Sequence, residues 1–228
     1  MLRTPLIKKD FALLAYEVSR IAGTLFSFAI VFFVLTFFTK QSTTQFYSFF
    51  LGTAAAFIQF IAQLLFLISH QNMGQKMWLG WSFIFGVPGI AAIVMMFSGF
   101  YHGQLIEPKT GQYGKLLWYG VGAFAAGSTS FGCFLTYLRT VGDYFVSSRL
   151  SNLGRDTYII VVLSALAGGA AIAANVVVLP RLNLREMPYL IYPIWISVLA
   201  AGTMGYLAGK NYKTLIDELK DRTELDDS

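Results

Sequence analysis

Long apolar runs alternate along this chain with short connections that carry all of its basic residues. The runs fall at 21–38, 48–69, 78–97, 116–138, 158–179 and 190–208. Each spans about 18 to 23 residues, or about 27 to 35 Å as helix, which suits a hydrocarbon layer about 30 Å thick. The runs lack the period-two alternation of a barrel strand and are about twice its length, so helix is the only spanning form open to them. The pattern predicts an all-α polytopic membrane helix bundle with about six transmembrane helices. Three regions follow: a cytoplasmic N-terminal segment with an interfacial helix at 1–20, a transmembrane domain at 21–209 and a charged cytoplasmic tail at 210–228.

The charge pattern supplies an orientation. One set of segments holds Arg3, Lys8, Lys9, Arg20, Lys76, Arg139, Arg149, Arg155, Lys210, Lys213, Lys220 and Arg222, and the other holds Lys40, Lys109, Lys115, Arg181 and Arg185. An excess of Lys and Arg marks the cytoplasmic side, which predicts an N-in, C-in arrangement. Composition agrees with a membrane location: 56% of residues are hydrophobic and 13% charged, where a soluble domain carries about 25% charged residues. The net charge of +5 is scattered through the connections, which argues against a nucleic-acid partner. Cys133 is the single cysteine, so neither a disulfide framework nor a thiolate cluster is expected.

The run from 21 to 38 is too long for a signal core and no small-residue cleavage site follows it, so it reads as a retained span. No Asn-x-Ser/Thr sequence occurs, in keeping with a bacterial inner membrane or an organellar one. Residues 10–20 read as an inward extension of the first span, with Leu13, Leu14 and Val18 resting on the interface. Segment 98–115 is the longest outer loop. In segment 139–157, Val141, Tyr144 and Phe145 are spaced for a short interfacial helix. Beyond residue 209 a charged helix, with Lys213 four residues before Asp217, reads as solvated. The lipid bilayer is the first expected partner.

Several features are candidates for function. Ala165, Gly169 and Ala173 repeat at intervals of four, as do Ala201, Gly205 and Gly209, with Ala123 and Gly127 a shorter version. Such faces let helix backbones approach, either within one bundle or between subunits. Gln59, Gln63 and His70 draw a polar line down one helix, with Ser128, Thr129, Ser130 and Asn175 as possible partners on others. That line could border a wet path or could bond helix to helix. Pro88, flanked by glycines, removes an amide donor and crowds the carbonyl of Ile84, so a kink is expected there. Aromatic residues such as Trp78, Trp81, Trp118, Tyr192 and Trp195 sit at the run ends as interface anchors.

The runs contain no Asp, Glu, Lys or Arg, which disfavours ion-coupled transport and excludes a retinal Schiff base. His70 and His102 fall at opposite ends of their spans, too far apart to share a haem. No histidine follows Ser128 or Ser130 in later runs to activate a serine. The expected function is therefore non-enzymatic and without cofactor, metal ligands or catalytic residues: a membrane subunit packing with itself, as a homo-oligomer, or with other membrane subunits, and presenting a cytoplasmic docking surface. The alternative is a channel or facilitator for an ion or small neutral solute, lined by Gln59, Gln63, Asn175 and the hydroxyls of the fourth run. An enzyme drawing on His102, Glu107, Asp143 or Asp156 ranks third.

Overall fold

The computed structural model describes residues 9–39, 42–69, 73–101, 113–145, 147–173 and 191–225. These form six helices: α1 (Lys9–Thr39), α2 (Ser42–Ser69), α3 (Met73–Tyr101), α4 (Tyr113–Tyr144), α5 (Ser148–Ala173) and α6 (Ile191–Leu225). Each packs against its neighbours in the chain, and α6 returns to pack on α1, so the helices close a ring in sequence order. The α2–α3 seam is the slightest of the six. Neighbours run antiparallel. Along α1 and α6, for instance, Gly202 faces Val34, Gly209 faces Ser27 and Lys220 reaches Glu17.

Four of these helices, not six, are long and apolar enough to cross a membrane among the described residues: Lys9–Thr36, Phe46–Ser69, Lys76–Met95 and Ser148–Ala170. The expectation of about six transmembrane helices is corrected accordingly. In α4 the apolar run is diluted by Gly120, Gly122, Gly127, Ser128, Thr129, Ser130 and Gly132. In α6 it is diluted by tyrosine, proline and glycine and then passes without a break into a charged stretch. Counting basic residues by side assumed a crossing at every run, so the N-in, C-in assignment loses its basis as well. The protein is a helical, multi-pass, integral membrane protein.

The core sits at one end of the ring, where α1, α3 and α5 begin and α2, α4 and α6 finish. Ala12, Ala15, Tyr16, Phe66, Leu79, Phe134, Leu135, Tyr137, Leu138, Val141 and Leu150 meet Tyr212, Leu215, Ile216 and Leu219 there, all buried. Residues 10–20 form the first turns of α1, with Ala12, Ala15, Tyr16 and Ser19 inside the bundle. The stretch after residue 209 is not a solvated tail: Tyr212, Leu215, Ile216, Leu219 and Thr223 recur at helical spacing and face the core. In place of an interfacial helix at 139–157, α4 continues to Tyr144 and a tight turn leads into α5. Ser147 caps α5, its hydroxyl accepting from the Leu150 amide at 3.4 Å.

Many hydroxyl groups along the helices are satisfied locally or across seams. Ser27, Thr36, Thr53, Thr129 and Thr157 each donate to the carbonyl four residues back, which spares them an unpaired group in a low-dielectric setting. Three seams are bridged by serine: Ser48 donates to Ala29 O at 2.9 Å, Ser164 to Ala201 O at 2.8 Å, and Ser82 and Ser130 donate to each other's carbonyls at 2.8 Å.

Candidate functional site

The seam between α1, α2 and α6 gathers a polar cluster at the margin of the packed core. Gln59 and Gln63 lie one turn apart on the face of α2 that looks into the ring. Tyr16 and Ser19 lie three residues apart on α1. The two helices are registered by the edge-on contact of the Tyr16 and Phe66 rings, centroids 5.0 Å apart, which brings Ser19 to the level of Gln63. Tyr212 arrives from α6, donating its hydroxyl to Gln59 Oε1 at 2.8 Å. Gly23 makes room for it, since a Cβ there would lie 2.9 Å from the Tyr212 ring. Phe131 of α4 closes the cluster with its ring 5.4 Å from that of Tyr212.

Several polar atoms of this cluster are buried with no hydrogen-bond partner among the described residues: Gln59 Nε2, Gln63 Oε1, Ser19 Oγ and the Tyr16 hydroxyl. Ser19 lies beside the Tyr212 hydroxyl, and Tyr16 beside Thr223, without completing a hydrogen bond. Gln63 is only 3% exposed, so its free carbonyl oxygen is not reached by bulk solvent. Such groups cost about 1 to 3 kcal/mol each when left unpaired.

The remaining candidates fall elsewhere. His70 and Asn175 lie outside the described residues, so the polar line is described only at Gln59 and Gln63. Ser128 is half-buried, Thr129 is exposed and donates to Ala125 O, and Ser130 belongs to the serine clasp with Ser82 on the α3–α4 seam. Neither clasp residue is part of the α1–α2–α6 cluster. The helix α3 runs unbroken through Pro88, and the glycines beside it serve a close approach: a Cβ on Gly89 would lie 3.2 Å from Gly127 N and one on Gly86 3.0 Å from Ser130 Oγ.

The two small-residue stripes differ in setting. Gly205 and Gly209 of α6 face α1, where a Cβ would meet Ile30 Cδ1 and Ser27 Oγ, each at 2.6 Å, and buried Ala201 sits at the α5 seam beside Gly168. Ala165 is half-buried in α5, Gly169 has open space around its Cα, and Ala173 ends the helix.

A charged rim borders the packed end. Lys220 Nζ donates to Glu17 Oε1 at 2.6 Å and Lys9 Nζ to Glu224 O at 3.0 Å, joining the start of α1 to the end of α6. Arg149 reaches Glu218 at 2.8 Å from α5, and Arg20 lies 4.0 Å from Asp217. The Glu17 carboxylate holds the Lys220 ammonium above its usual range through that hydrogen bond, with Glu17 and Glu224 adding charge attraction.

Sequence reasoning placed Gln59 and Gln63 on one face but missed Tyr16, Ser19 and Tyr212. The available signal was the apolar periodicity of 212, 215, 216 and 219, which marks that helix face as buried and makes Tyr212 a core residue. Among the described residues no group of three or more His, Cys, Asp or Glu side chains is placed to hold a metal ion, and Cys133 is a free, half-buried thiol. The chain matches no protein-family model, and comparison with curated proteins and with solved structures gives no match either.

Proposed function

We propose that this chain is a non-enzymatic membrane subunit that packs with itself or with other membrane chains and offers the charged rim of its packed end as a docking surface. The observation that carries this reading is the filled interior at that end. Tyr16, Phe66, Phe134 and Tyr137 are fully buried, and the Phe66 ring touches the other three, with centroids 5.0, 5.7 and 5.6 Å from those of Tyr16, Phe134 and Tyr137. Side chains packed in this way give that end of the ring to structure rather than to a reacting or permeating molecule. Around them the rim exposes Lys213, Asp221, Arg222 and Arg149, the last 77% accessible although paired with Glu218.

The test is the mass of the protein extracted gently from its own membrane and held in nanodiscs. An assembly larger than one chain is expected, weakened by the paired reversal Lys213→Glu and Arg222→Glu. A lone monomer that copurifies with nothing overturns the reading. The unpaired glutamines favour a second reading, passage of a small neutral solute. Reconstituted vesicles decide between the two: no flux is expected, and solute flux abolished by Gln63→Met would replace the first reading with the second.

A further inference from the structure

We propose that the α1–α2–α6 cluster is a binding site for internal water, held between Gln63 Oε1, Gln59 Nε2 and Ser19 Oγ. Gln63 offers a buried acceptor, Gln59 a buried donor, and Ser19 a hydroxyl that can do either, none of them paired with protein among the described residues. Donor and acceptor together call for a ligand that is both, and a buried water making two to four hydrogen bonds meets that requirement.

Charge narrows the class further. These three groups are neutral, as is Tyr212, which already spends its hydroxyl proton on Gln59 Oε1. An anion would find too few donors and a metal cation too few oxygens, so the ligand is a neutral hydrogen-bonding molecule. Confinement favours the smallest such molecule: the fully buried Tyr16 and Phe66 lie on one side and Phe131, against the Tyr212 ring, on another.

Location gives the site its consequence. Ser19, Gln59 and Gln63 belong to helices able to cross the membrane, where no lipid group can pair with them. Water bonded to all three would tie α1 to α2 at the level where α6 joins them through Tyr212. A packed subunit and a solute passage both leave these atoms to be satisfied.

The experiment is water-edited magnetisation transfer on the full-length protein in lipid nanodiscs, read at the side-chain amides of Gln59 and Gln63. The variants Gln59→Met and Gln63→Met each delete one pair of resonances and so assign them, provided the remaining spectrum keeps its dispersion. Transfer from water to both amides is expected in the unaltered protein. Absence of transfer at both overturns the proposal. So does a saturable shift of the two amides on adding acetamide when no water transfer is seen without it, because the site would then take a neutral amide solute instead.

Discussion

At the scale of single residues, small and hydroxylated side chains decide how closely the helices meet. Ser82 and Ser130 exchange hydrogen bonds across the α3–α4 seam, where interhelical bonds in a membrane contribute about 0.6 to 1.7 kcal/mol. Ser82→Ala and Ser130→Ala should each destabilise by about 1 kcal/mol. The double variant should cost less than the sum, as a double-mutant cycle of unfolding in mixed detergent would register. Glycines separate by what surrounds them. A Cβ on Gly132 would lie 2.6 Å from Cε2 of the Tyr158 ring, which would have to shift, so Gly132→Ala should cost about 1 to 3 kcal/mol. Gly169 has open space, and Gly169→Ala should be neutral or stabilising by up to about 1 kcal/mol through helix propensity alone. Thermal melting of the two variants side by side separates these outcomes.

At the scale of elements, α6 departs furthest from its sequence reading. Its second half carries enough charge to look solvated, yet its apolar residues form one stripe that completes the core. Leu215 is fully buried there, so Leu215→Ala should cost about 2 to 5 kcal/mol, measured by unfolding, where a solvated tail would tolerate the change. The seam that holds this half in place carries a pH signature. Lys220 has its ammonium stabilised in the folded state, so its contribution is fully present below the ordinary lysine range and is lost as pH rises through the raised value. Melting followed into alkaline solution should show a drop that Lys220→Met abolishes. The helices themselves were legible because their runs are long and uninterrupted, and Gln59 and Gln63 were legible as neighbours because four residues make one turn. What was not legible was which helices meet: Tyr16, Ser19 and Tyr212 are brought to the glutamines by ring closure. Span number also eluded the pattern, because α4 and α6 trade apolar bulk for glycine and hydroxyl groups at their seams.

At the scale of the whole molecule, packing is uneven along the bundle axis. The largest fully buried side chains gather at the end where α1 begins, while among the described residues the other end buries smaller groups, Ala29, Ala55 and Ala123 beside Ile194 and Val198. Hydrogen exchange should therefore be slowest around residues 12–19, 62–66, 134–141 and 212–219, and uniform protection along the helices would contradict this gradient. Ring closure also has a consequence for biosynthesis. Glu17 and Lys220 stand 203 positions apart, and Gln59 waits 153 residues for Tyr212. A ribosome adding about 5 to 20 residues per second leaves α1 and α2 without their closing partner for many seconds. During that interval the glutamines face lipid or a neighbouring nascent chain, and a chain stalled before α6 emerges carries exposed polar groups by which membrane quality control could recognise it as unfinished.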